Sequence, residues 1–197
     1  VKEGVELYKK IITGNAPKND NVDKTTFIKG EIGKTWRSHF NENPNVIEYG
    51  NSKAKVIDYG VFNENDEYLQ VIDNEKVIKL KSKIEFFDEV DNPIFTMTIK
   101  DFNGVEVAGT NTMFEKIYPG KFKKGDIAEV EFKQKLPIAP GKYTLSFSCT
   151  HISASGELEI LNRKYEALLV EIVSSKSIVG LIRLDTEINI KKCSKGK

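Results

Sequence analysis

Apolar and polar side chains alternate with period two along most of the chain beyond residue 50, and this alternation predicts strands. Between 76 and 87, Ile78, Leu80, Ser82, Ile84 and Phe86 oppose Lys79, Lys81, Lys83 and Glu85, the pattern of a strand with one dry and one wet face. Residues 94–100 set Phe95, Met97 and Ile99 against Thr96 and Thr98. Residues 142–150 set Tyr143, Leu145, Phe147 and Cys149 against Thr144, Ser146, Ser148 and Thr150. With 54–62, 105–109, 127–134 and 165–173 the set reaches seven or eight strands. Asp91-Asn92-Pro93, Asn103-Gly104, Pro119-Gly120, Gly125-Asp126 and Pro140-Gly141 supply turns between them, and Asn103-Gly104 is the strongest hairpin signal. A parallel sheet needs crossover helices, and none can be placed here. The expected fold is therefore all-β, an immunoglobulin-like antiparallel β-sandwich.

The first residues follow a different rhythm. Val1, Val5, Tyr8 and Ile12 recur on one helical face, and Thr13-Gly14 with Pro17 provides a stop, so a short helix is expected over 1–14. A chain that opens inside a helix, without an initiator Met, is expected to be a piece of a larger protein. Residues 15–26, NAPKNDNVDKTT, hold too few apolar side chains to order themselves and read as a linker. An irregular lead-in with Trp36 as its large anchor continues to 45, and the sandwich is expected over 46–197.

Charge removes several functions. Thirty Lys+Arg against twenty-nine Asp+Glu leave a formal charge of +1, so no global field draws the chain to nucleic acid. No apolar run reaches the roughly 18 residues of a membrane-spanning helix, and VKEGVELYKK lacks the apolar centre of a signal peptide. Cys149 sits in an apolar strand and Cys193 in a Lys-rich tail, so a structural disulfide is not expected. His39 and His151 lie far apart with no ligands at metal spacing, and neither metal nor cofactor is expected.

Candidate chemistry is sparse. Gly30 to Thr35 ends in the Gly-Lys-Thr of a phosphate-binding loop, but Ile28 occupies the position of its first glycine and the backbone cradle is lost. Phe86-Phe87-Asp88-Glu89 then reads as a strand end. His151, Ser153 and Ser155 stand too close in sequence to face one another as base and nucleophile. Glu129 and Glu131 could serve a glycosidase only with partners that the sequence does not identify, and a wet strand face explains them. No catalytic set is assigned.

The hydroxyl row Thr144, Ser146, Ser148 and Thr150, with Thr96 and Thr98 on another strand, is more informative. Short donors and acceptors on a flat sheet suit sugar hydroxyls, although small polar residues also make an ordinary wet strand face. Tyr118, Phe122, Tyr165, Tyr68 and Trp36 are the aromatics available to stack on a sugar ring. Lys79 and Lys81 join the candidate binding residues, because lysines on a wet face could hold an anionic sugar or phosphate.

Several segments carry a family resemblance. Pro93-Ile94-Phe95-Thr96-Met97-Thr98-Ile99-Lys100-Asp101, Asn103-Gly104-Val105-Glu106-Val107 and Gly109-Thr110-Asn111-Thr112 resemble the C-terminal domain of the ATP-binding subunit of Wzt-type ABC exporters of O-antigen and related surface polysaccharides. Leu136 to Leu145 and Glu166 to Ile172 with Gly180-Leu181-Ile182 are similar to that family's later segments, and Gly4 to Lys10 to the helix that ends its nucleotide-binding domain. The resemblance implies a non-catalytic sandwich that recognises the non-reducing end of a polysaccharide on the cytoplasmic side, peripheral to the membrane. It also implies a homodimer with terminal strands open to exchange between subunits, and a membrane permease as partner. Three other readings stay open: a dimerisation or docking module without sugar binding, an extracellular adhesin-like sandwich, and a carboxylate hydrolase.

Overall fold

The alternating segments become strands wherever one face can be buried. The computed structural model describes residues 35–192; the expected helix over 1–14, Gly30, Gly33 and Cys193 lie outside the described residues. Eleven strands follow in order: β1 (Ile47–Tyr49), β2 (Ala54–Phe62), β3 (Val71–Asp73), β4 (Val77–Phe86), β5 (Val90–Asp91), β6 (Ile94–Asp101), β7 (Glu106–Asn111), β8 (Lys121–Phe122), β9 (Ile127–Lys135), β10 (Gly141–Ile152) and β11 (Leu158–Val173). One sheet runs β1-β11-β10-β6-β7, with β3 against the far end of β11; the second is β2-β4-β9, and β5-β8 form a small pair. Pairing is antiparallel except that β3 runs parallel to β11 at Val71–Asp73.

The inner faces of the two sheets make the core. Ile78, Leu80, Ile84 and Phe86 from β4 meet Met97 and Ile99 from β6, Leu145 and Phe147 from β10 and Leu168 from β11 in one buried cluster. The Tyr59 ring stacks on Phe147 with centroids 5.4 Å apart, and Phe122 from β8 stacks on Phe86 at 4.6 Å. At roughly 25 cal/mol per Å² of apolar surface removed from water, this cluster is the main source of stability. The Asn103-Gly104 hairpin forms as expected: Asp101 Oδ1 accepts the backbone N–H groups of Asn103 and Val105 at 2.9 and 2.8 Å, and Gly104 supplies φ +86°.

Two regions differ from the sequence reading. β11 starts at Leu158, well before 165. From residue 35 on, the described part of the lead-in forms a 3-10 turn at Trp36–His39 and is fastened to the sandwich. Asp58 carboxylate oxygens accept the N–H groups of Trp36 and Arg37 at 2.9 and 3.0 Å, and Phe40 and Trp36 pack edge-on against Phe62. Further on, Asn43 N–H donates to the Ala167 carbonyl at 3.1 Å. This segment covers the outer face of β2, which a free linker would leave wet.

Candidate functional site

Pleating sends Tyr143, Leu145, Phe147 and Cys149 of β10 into the core and turns the hydroxyl row the other way. Register then builds rows across the outer face of the larger sheet. Ser148 stands between Thr96 of β6 and Arg163 of β11, and Arg163 pairs onward with Tyr49 of β1. In the next row Ser146 lies beside Thr98, which faces Gly109 of β7. These short side chains floor a groove of about 240 Å³ bounded by Thr96, Thr98, Ser146, Ser148, Arg163 and Tyr165, with Glu106 at one end. That volume lies just below the roughly 300–1,000 Å³ of ordinary ligand pockets and suits one terminal ring better than a length of polymer.

Gly109 is part of the construction. A Cβ there would stand 2.9 Å from both the Met97 carbonyl oxygen and Thr98 Cγ2, so the missing side chain lets β7 close against the floor. The rest of Gly109-Thr110-Asn111-Thr112 serves the backbone. Thr112 Oγ1 accepts Phe95 N–H at 3.2 Å, Asn111 Oδ1 accepts Phe114 N–H at 2.8 Å, and Thr110 Oγ1 donates to Glu115 at 2.6 Å.

The six candidate hydroxyls separate by what they touch. Thr96, Thr98 and Ser148 line the groove and make no side-chain hydrogen bond with the described residues. Ser146 also lines it, but its oxygen accepts Glu166 N–H at 2.8 Å and holds a bulge where Glu166 takes φ +55°. Thr144 and Thr150 are only 3% and 4% exposed and lie outside the groove. The structure places Lys79 and Lys81 on the opposite side of the molecule, because β4 belongs to the other sheet. Both bond Asp66, at 2.9 and 2.7 Å, and Lys81 also pairs with Glu131 at 3.3 Å. A period-two pattern tells which face of a strand is wet, not which sheet the strand joins.

The groove carries charges that its hydroxyl pattern does not announce. Buried Lys100 lies 3.7 Å from Glu106 and 4.8 Å over the Tyr165 ring. Lys164 points to the core side, 3.2 Å from Glu48, and burial holds its pKa below the usual lysine value. Arg163 Nη1 donates to the Tyr165 hydroxyl at 3.1 Å. Burial pushes the Tyr49 phenol up to about 12, with the neighbouring Tyr165 adding to the rise. Arg163 and Tyr49 escaped the sequence reading because β1 is three residues long and the first half of β11 shows no ordinary alternation.

The remaining candidates are scattered. Of the aromatics, Tyr165 walls the groove, whereas Phe122 is in the core margin, Tyr68 stacks on His39 at 4.0 Å, and Trp36 lies under Lys83 at 4.1 Å. Tyr118 lines a separate hollow with Met113, Pro119 and His151. Ser153 Oγ bonds Ser155 Oγ at 2.8 Å, and His151 Nδ1 is buried without a partner among the described residues, so the two do not form a nucleophile and base. Glu129 and Glu131 face Lys83 and Lys81 across β9 and β4. Cys149 is buried and unpaired with its thiol pushed up by burial, and no group of three or more His, Cys, Asp or Glu among the described residues could hold a metal ion. No helix among the described residues is long and apolar enough to cross a membrane.

Comparison with known proteins agrees with this architecture. A solved structure described as "Crystal structure of the C-terminal domain of wzt" superposes with a TM-score of 0.74 at 20% identity, covering 82% of this chain and 98% of that one. No curated protein matches the chain. The model of the Wzt C-terminal domain family matches residues 45–184, from just before β1 to beyond the end of β11, and the chain belongs to that family.

Proposed function

We propose that the groove binds the non-reducing end of a surface polysaccharide, O-antigen-like, before an ABC transporter exports it, and does no chemistry on the sugar. The observation that carries this reading is the floor of unbonded hydroxyls, Thr96, Thr98 and Ser148, beside the Tyr165 wall. Hydroxyls with no protein partner can exchange water for ring hydroxyls at no structural cost, and the small groove favours a chain end over a chain middle. Family membership supports the setting of polysaccharide export by an ABC transporter, which would place the domain on the cytoplasmic side, peripheral to the membrane and beside a permease, with no cofactor.

Calorimetric titration with the source cell's own surface polysaccharide, intact and trimmed at the non-reducing end, tests the reading. Binding should vanish on trimming. Thr98→Val and Ser148→Ala should each weaken binding by roughly two- to tenfold, the value of one neutral hydrogen bond. Binding that survives trimming, or no binding by the folded chain, overturns the proposal.

A second observation supports the dimerisation reading. After β11 the chain is held by Ala139 N–H on the Leu181 carbonyl and Arg183 N–H on the Pro137 carbonyl, at 2.9 and 2.7 Å. Beyond that point Leu184, Ile188 and Ile190 alternate along a highly exposed run. Such a run would pair along a second copy and give a homodimer with exchanged strands. Light scattering should show a dimer that becomes a monomer when residues 184–197 are deleted; a monomeric intact chain removes this reading and leaves the groove unaffected.

A further inference from the structure

Three cations lie on the strands that form the groove, and their partners differ. Lys100 has the Glu106 carboxylate and Lys164 has Glu48. Arg163 has no carboxylate within ion-pair distance among the described residues; its side-chain partners are the tyrosines Tyr165 and Tyr49. A neutral phenol supplies a lone pair but no countercharge, so Arg163 keeps an unbalanced charge at the groove wall. Its planar fork has five donors, and among the described residues its side-chain hydrogen-bond partners are those two phenols alone. Register sets Arg163 in one row with Ser148 and Thr96, whose hydroxyls are unbonded.

Resting on the carbohydrate reading above, we infer that the groove selects an anionic terminal sugar, whose carboxylate or phosphate sits on the Arg163 guanidinium while its ring lies over Ser148 and Thr96. A planar fork matches either oxyanion with two parallel hydrogen bonds, about twice as strong as neutral ones. Adjacent strands lie about 4.8 Å apart, so this row from β11 to β6 spans the reach of a single substituted ring. Tyr165 orients the guanidinium through its hydroxyl and is a positioning residue. The lysines on the opposite sheet take no part, being balanced by Asp66 and Glu131.

The test titrates the whole chain, followed by amide and Arg Nε–H resonances, with methyl glycosides of glucuronic, galacturonic and mannuronic acid, their neutral parent glycosides, and inorganic phosphate. At least one uronide should shift the Arg163, Ser148 and Thr96 signals and bind at least about tenfold more tightly than its neutral parent, with the preference shrinking as salt rises. Arg163→Gln should level that preference and Arg163→Lys keep part of it; the salt series on the unaltered chain serves if a variant misfolds. Equal binding of uronide and parent, unchanged in Arg163→Gln, overturns the anion inference and leaves the sugar reading standing. Phosphate shifting Arg163 while no glycoside binds supports the anion site and sinks the sugar reading. No shift from any probe overturns both.

Discussion

Lys164 occupies a position in β11 where the pleat points into the core, opposite Phe147. The residue is 5% exposed, and its ammonium lies 5.5 Å over the Tyr59 ring and is balanced by Glu48 at 3.2 Å. Glu48 is itself tied by Asn162 Nδ2 at 3.1 Å, and Asn162 Oδ1 accepts Val56 N–H at 3.0 Å, so one polar network joins three strands inside an apolar layer. Removing one member leaves a charge in low dielectric without its partner. Fully buried pairs lose about 3–5 kcal/mol when broken; because Glu48 keeps 30% exposure of its side chain, Glu48→Ala should cost about 1–3 kcal/mol. Denaturant melts of Glu48→Ala and of the double variant Glu48→Ala/Lys164→Met check this. The double variant should regain most of the loss; equal stability of all three proteins would show that the pair carries nothing.

The same network explains which elements the sequence discloses. β4 is legible because every inward position is apolar apart from Ser82 and every outward one after Val77 is charged. In the first half of β11 the order is turned over: Asn162 and Lys164 face inward, while Ile160 and Tyr165 face outward into a small cluster with Tyr49. Period-two reading takes such a stretch for loop. That is why Thr96, Thr98, Ser146 and Ser148 could be picked from regular β6 and β10, whereas Arg163 could not. Thr144 and Thr150 look equivalent to their neighbours in the sequence, yet Leu169 and Ile160 of β11 lie opposite them, a pairing that no local pattern contains. At this scale Gly109 makes a sharp prediction about β7. Its Cβ would meet the Met97 carbonyl, which cannot swing aside, so Gly109→Ala should cost about 1–3 kcal/mol as overpacking does. Amide shifts should concentrate in β6 and β7 near Thr98, and ligand affinity should fall with the displaced groove edge. A variant as stable as the parent, with unmoved Thr98 signals, would show that β7 has room to spare.

Across the whole molecule, one carboxylate decides where the chain leaves the sandwich. Glu75, in the turn between β3 and β4, receives Ser175 Oγ, Lys176 Nζ at 3.0 Å and Arg183 Nη1 at 2.7 Å. Together they tie the segment after β11 to the end of the second sheet, and the exposed run from Leu184 onward departs from that knot. These hydrogen bonds, the Ser175 one foremost, hold the carboxyl near pKa 2 against an ordinary 4.5. The sign follows from proton uptake. The unfolded or detached segment binds the proton first, so the clamp is fully present above about 4.5 and is lost as pH falls toward about 2. Glu75 is solvent-accessible, so the effect is local opening, with little change in global melting. Hydrogen exchange should show the Arg183 amide, bound to the Pro137 carbonyl, losing protection between those pH values while the Leu145 and Ile99 amides keep theirs. Glu75→Gln should loosen Arg183 already at neutral pH and make its protection insensitive to acid. If strand exchange joins two copies through residues beyond Leu184, the same variant should also weaken the dimer, since it frees the point from which both exchanged segments are aimed. Arg183 protection unaltered by both acid and Glu75→Gln would mean that the two backbone bonds at Pro137 and Ala139 fix the exit alone.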